Sequence, residues 1–73
     1  MKLRRPRCET CGGRAVAGVN DVHFCATHFR DGVITQVRLG TYRNGAPPDV
    51  VQAAGEWMAD LIDNDPEIQR KMQ

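Results

Sequence analysis

The strongest hydrophobic pattern lies in the second half of the chain. Val50, Val51, Ala54, Trp57, Met58, Leu61 and Ile62 recur at steps of i, i+1, i+4, i+7, i+8, i+11 and i+12, which is the stripe of an amphipathic helix. Gln52, Glu56, Asp60 and Asp63 lie off the stripe. Pro47 or Pro48 suits a first helical turn and Asp49 the positive end of the helix dipole, so the spacing predicts a helix from there through about Asp63. The pattern then restarts: Asp65 can cap, Pro66 comes first, and Glu67 to Lys71 form a short last helix. Upstream the pattern is mixed. Phe29, Val33, Ile34 and Val37 recur at helical spacing. Gly32, however, costs a helix about 1 kcal/mol, and Val33, Ile34, Thr35 and Val37 are β-branched, so a strand competes. Gly40 is a plausible helix stop, and "TYRNGAPP" reads as a linker with a turn at Asn44-Gly45. Nearer the start, "RAVAGV" and "VHF" are short candidate strands, with "GVND" at the turn between them.

Size makes this pattern insufficient on its own. A chain of 73 residues holds one domain with a small core, and such domains are marginal without a staple. The aromatic supply is Phe24, Phe29, Tyr42 and Trp57. The three cysteines are an odd number, unlike the even sets of disulfide scaffolds. The basic start "MKLRRPR" is followed by no apolar run, so it does not read as a secretory signal. No stretch approaches the ~20 apolar residues that span a bilayer. The expectation is a cytoplasmic chain in which thiols stay reduced.

All three cysteines and both histidines fall within "CETCGGRAVAGVNDVHFCATH". The spacing is Cys8-x-x-Cys11, a short hairpin's length of chain, then Cys25-x-x-His28. A Cys-x-x-Cys turn can aim two sulfurs at one ion, and the following glycines permit the positive φ such a knuckle requires. Cys25 and His28, three apart, can share one side of a helical turn. Cys8, Cys11, Cys25 and His28 are therefore the candidate ligands of one structural Zn2+, which prefers four thiolate or imidazole donors in a tetrahedron. His23, two residues before Cys25, is the alternative fourth ligand. An unligated thiol cluster and a redox Cys-x-x-Cys are the competing readings; the redox motif belongs to a larger α/β fold than this chain can build.

"CETCGG…VHFCATHF" resembles a treble-clef zinc finger, of the kind found in small bacterial and phage-encoded proteins. The resemblance spans about residues 8 to 38. It implies that Cys8 and Cys11 ligate from the knuckle and that Cys25 and His28 ligate from the start of a helix. It therefore favours a helix over about Ala26 to Leu39. The nuclease relatives of this clef carry a histidine-rich catalytic segment and a second metal, and this chain has no such set. The expected fold is a small, metal-stabilised α+β unit: knuckle, hairpin and helix, then the amphipathic helix and the short last helix. The expected organisation is a basic tail over 1–7, a zinc-binding finger over 8–40, a linker over 41–48, and a helical segment over 49–73 packed on the finger. Trp57 is expected to rest on Phe29 or Val33.

Charge divides the chain. Residues 1–43 carry eight Lys or Arg against three acids, and residues 44–73 carry two against six. Attraction between the halves is one reading; a basic face for an anionic partner is the other. Arg4, Arg5, Arg7 and Arg14 are the candidate nucleic-acid contacts. The near-neutral total and the lack of aromatics among these arginines weigh against a dedicated nucleic-acid binder. The stripe is long for the apolar surface a finger offers, so Trp57, Met58 and Leu61 are candidate contacts to a protein partner or, in a homodimer, to a second copy. A four-ligand zinc has no open position for an activated water. The chain shows no Ser-His-Asp set or P-loop, and the glutamate of the zinc deaminases does not follow His23. The expectation is therefore not an enzyme but a zinc-binding interaction module, a small regulator or adaptor on a protein or nucleoprotein machine. The alternative is a nucleic-acid-binding finger. No membrane partner is expected.

Overall fold

A computed structural model describes residues 6–72. Its elements run β1 (Ala17–Val19), β2 (Val22–Phe24), α1 (Phe29–Arg43), α2 (Pro48–Asn64) and α3 (Pro66–Lys71). β1 and β2 form an antiparallel hairpin that pairs Ala17 with Phe24, Gly18 with His23 and Val19 with Val22. Its two-residue turn is Asn20-Asp21, with φ of 52° and 64°. A two-residue turn with positive φ at both central positions matches the strand twist, and Asn and Asp tolerate that conformation.

α1 lies between the hairpin and α2 and contacts both. Cys8, Phe24, Phe29, Val33 and Ile62 form the buried centre, and Val19, Val22, Val37, Met58, Ile68 and Met72 pack around it. One residue from the knuckle, one from the hairpin, two from α1 and one from α2 thus meet in one small core. Gly32 allows the hairpin to approach α1. A methyl group there would land on Phe24 Cε1 and come within 2.5 Å of Cδ1 and 2.6 Å of Cζ.

α1 differs from the expected helix at both ends. It starts at Phe29 rather than Ala26, because Cys25 to His28 form a turn closed by the His28 N–H on the Cys25 carbonyl at 3.2 Å. It also runs through Gly40 to Arg43. Gly40 does not stop it; the stop is Gly45, at φ 86°. The Gly45 N–H donates to the Tyr42 carbonyl at 3.0 Å, and the Ala46 N–H to that of Thr41 at 3.3 Å. These two bonds make a Schellman cap, which satisfies the last carbonyls of the helix. The linker is accordingly shorter than 41–48.

α2 begins with Pro47 as its cap and Pro48 as its first residue. It does not bury its whole apolar stripe. Gly55 and Ile62 are buried, Val51, Ala54 and Met58 are half-buried, while Val50, Trp57 and Leu61 are exposed. At about 100° per residue, these last three lie roughly a quarter-turn or more away from the line through Val51, Gly55, Met58 and Ile62. The expected packing of Trp57 on Phe29 or Val33 is therefore not found: Trp57 is 59% exposed. α1 is too narrow to cover so broad a stripe. Arg30 on α1 and Asp63 on α2 tie the helices with a forked ion pair, Nε to Oδ1 at 2.9 Å and Nη2 to Oδ2 at 3.0 Å. At α3, Asp65 Oδ1 accepts from the Glu67 and Ile68 N–H groups at 2.9 and 3.3 Å, as its position before Pro66 predicts.

Candidate metal centre

The knuckle is built from backbone hydrogen bonds before any ion is considered. The Cys8 N–H donates to the Gly13 carbonyl at 2.7 Å, and the Gly12 N–H to the Cys8 carbonyl at 2.8 Å. Gly12 sits at φ 74°, the positive φ expected just past the second sulfur. The Gly13 N–H points at Cys11 Sγ at 3.4 Å, a polar contact that favours thiolate. The Glu9 N–H donates to the His23 carbonyl at 2.8 Å, which ties the knuckle to β2. Where β2 ends, the Cys25–His28 turn brings the second pair of ligands onto the first.

The sulfurs of Cys8, Cys11 and Cys25 and a ring nitrogen of His28 all lie within 4.8 Å of one another. Three separations show the shape: Cys11 Sγ to Cys25 Sγ is 3.8 Å, Cys8 Sγ to His28 Nδ1 is 3.7 Å, and Cys25 Sγ to His28 Nδ1 is 3.3 Å. A tetrahedral zinc with bonds of about 2.3 Å to sulfur and about 2.0 Å to nitrogen has S–S edges near 3.8 Å and S–N edges near 3.5 Å. The donor set and the spacing both fit one small cation. Cys8 is buried, Cys25 and His28 are half-buried, and Cys11 is exposed. All three cysteines are free.

Burial and nearby hydrogen bonds pull the four donors in different directions. Burial at Cys8 favours the thiol, yet the nearby backbone N–H groups of Cys25, Cys11 and Thr10 outweigh it, and the pKa falls to about 6. At Cys25 burial again favours the thiol, but the His28 backbone N–H and the Cys11 thiol prevail and lower it. The Gly13 N–H favours a thiolate at Cys11; hydrogen bonding to the Cys8 sulfur, burial and the Cys25 sulfur reverse this and raise it. The sulfurs of Cys8 and then Cys25 raise the His28 imidazole above its ordinary value. Cys8 and Cys25 thus lean toward thiolate, the form that ligates a metal cation.

His23 is not part of the cluster. It pairs with Gly18 across the hairpin, and its ring lies so close that a methyl group on Gly18 would come within 2.7 Å of Cδ2. Its neighbour Phe24 faces the core, so strand alternation turns His23 to the other side. His28 is the first-turn boundary of α1 but makes no side-chain cap, since Nδ1 faces the sulfurs instead.

The remaining candidate residues are dispersed. Arg7 and Arg14 face each other across an isolated antiparallel bridge at the base of the knuckle, and both are exposed. Arg4 and Arg5 lie outside the described residues. Trp57 and Leu61 are displayed on α2, while Met58 is half-buried against the core. Trp57, Asp60, Leu61, Asn64, Asp65 and Pro66 line an open groove of about 450 Å³ where α2 meets α3. In the sequence, Asp60 stands only as a polar position off the stripe and Asp65 only as a helix cap; the bend at Asp65 brings Asp65 and Pro66 to the groove that Trp57 and Asp60 line. Among the described residues no helix is long and apolar enough to cross a membrane. No protein family, curated protein or solved structure matches the chain.

Proposed function

We propose that this chain is a non-catalytic interaction module stapled by one structural Zn2+, with a treble-clef-like knuckle, hairpin and helix that hold α2 out for a protein partner. Cys8, Cys11, Cys25 and His28 would hold the ion. When bound, zinc supplies a fixed tetrahedral cross-link between the knuckle and the start of α1. Three sulfurs and a nitrogen suit zinc over the harder cations that prefer oxygen. Four protein donors fill a tetrahedral sphere, which leaves the site a structural rather than catalytic character.

The observation that carries the interaction role is the exposure of Val50, Trp57 and Leu61 on one side of α2. Tryptophan is among the residues most enriched in interface hot spots, and here the core does not use it. The same packing separates folding from binding. Trp57→Ala should leave zinc affinity and thermal midpoint nearly unchanged and abolish capture of the native partner. Loss of the fold in Trp57→Ala would return the stripe to the core and remove this surface.

A second reading has its own observation. The bridge sets Arg7 opposite Arg14, and like charges facing across strands repel unless an anion relieves them. A nucleic-acid backbone would do so. Binding of a duplex or single-stranded oligonucleotide at about 50 mM salt, lost steeply by about 200 mM, supports this reading. Absence of binding at low salt removes it.

A further inference from the structure

The open groove at the α2–α3 junction is lined by residues of two chemistries. Its apolar surface comes from Trp57, Leu61 and Pro66, and its carboxylates from Asp60 and Asp65. Asp63, one step away on α2, is neutralised by Arg30. Among the described residues, no ion pair forms on Asp60 or Asp65. Asp65 spends one oxygen on the α3 cap, and Asp60 keeps both carboxylate oxygens for solvent. The groove therefore combines an apolar wall, an aromatic face and two carboxylates without an ion pair, although the Arg30 guanidinium lies near enough to act on Asp60.

We propose that this groove docks a cationic segment of a partner protein, in which a Lys or Arg lies beside one or more apolar residues. This rests on the interaction-module reading and adds the chemistry of the partner. The apolar residue of the segment would cover Leu61 and Pro66. The aliphatic stem of the Lys or Arg would lie along Trp57, whose ring face also attracts its charge. The charged head would reach Asp60, with Asp65 adding to the field. Steering by opposite charge raises the encounter rate as well as selecting the partner. A second copy of this chain fits less well. A two-fold contact centred on the groove would bring the acidic patches of both copies into one interface.

The test selects a displayed library of random peptides on the zinc-loaded full chain and follows Trp57, the chain's one tryptophan, by fluorescence. The proposal predicts enriched peptides that carry Lys or Arg next to apolar residues and shift Trp57 emission to the blue on binding. Their affinity should fall by at least about tenfold in Asp60→Lys and in Trp57→Ala, and should weaken with added salt. Asp60 is exposed on α2, away from the core, so both variants should keep their thermal midpoints. Peptides that need Trp57 yet carry no positive charge, and ignore Asp60→Lys, would overturn the cationic segment and leave the interaction reading standing. Peptides indifferent to Trp57→Ala, or no enrichment at all, would overturn both. Trp57-dependent self-association in sedimentation would place a second copy in the groove and overturn the proposal.

Discussion

Two glycines of α1 should respond in opposite ways to the same substitution. Both Gly32 and Gly40 lie within the helix, and alanine in a helix interior is better than glycine by about 1 kcal/mol. Propensity alone would make both changes stabilising. At Gly40 a new methyl group meets nothing within 4 Å, so Gly40→Ala should gain about 0.5–1 kcal/mol. At Gly32 the methyl group would overlap the Phe24 ring, with Cδ1 at 2.5 Å and Cζ at 2.6 Å. Phe24 is 3% exposed and set among Cys8, Phe29, Val33 and Ile62, so its ring could yield only by leaving that packing for the open pocket of about 270 Å³ that it lines with Gly32. Overpacking of this kind costs about 1–3 kcal/mol, and the net expectation for Gly32→Ala is a loss of about 1–2 kcal/mol after the propensity gain. Because 1 kcal/mol moves the midpoint of a domain this size by about 4–8 °C, thermal unfolding followed by circular dichroism at saturating zinc resolves the two signs. Gly40→Ala should melt higher than the parent and Gly32→Ala lower. Equal stabilisation by both would refute the close seating of the hairpin on α1.

Three further outcomes follow from the same geometry. Cys8→Ser, or treatment with a chelator, removes a cross-link worth about 10–16 kcal/mol in comparable finger peptides; amide NMR dispersion over residues 8–28 should collapse, whereas an unchanged spectrum would show a fold that stands without metal. Asp65→Ala removes the cap from Glu67 and Ile68 and should cost about 1 kcal/mol, with faster hydrogen exchange confined to α3; exchange unaltered there would contradict the cap. Arg30 holds the Asp63 carboxyl below the ordinary carboxylate range, so its contribution is complete above an unfolded value of about 3.9 and is lost as pH falls through the lower folded value. Asp63→Asn should therefore trail the parent by a small, constant margin from pH 8 to about pH 5, and a gap that closes near neutrality would contradict the pairing.

The parts of this molecule readable in its sequence are those fixed by local rules. Asp65-Pro66 announces the start of α3 because a side-chain cap and a proline first residue act within a few positions. The Cys-x-x-Cys and Cys-x-x-His pairs are legible because tight turns fix how far apart neighbouring ligands can be. The ends of α1 were harder. Gly40 and Gly45 are both glycines, and only the backbone conformation distinguishes a helical glycine from one that stops a helix. The first turn was misread because two ligands three apart fit a tight turn as well as a helix. His23 and His28 are equally good imidazoles in sequence, and strand alternation beside a core-facing Phe24 separates them. Trp57 lay within an unbroken apolar stripe. Its exposure depends on the width of α1 and on the position of Gly55 and Ile62 at the contact, which are tertiary facts. The groove beside it requires the α2–α3 bend, which brings residues on two helices together.

The central claim is that Cys8, Cys11, Cys25 and His28 hold one zinc ion in a tetrahedron. X-ray absorption spectroscopy on the chain loaded with one equivalent of zinc tests it most directly. The account predicts three sulfur neighbours at about 2.3 Å and one nitrogen at about 2.0 Å, with the nitrogen shell lost in His28→Ala and retained in His23→Ala. A shell dominated by oxygen, or a nitrogen that disappears with His23 instead, would contradict it.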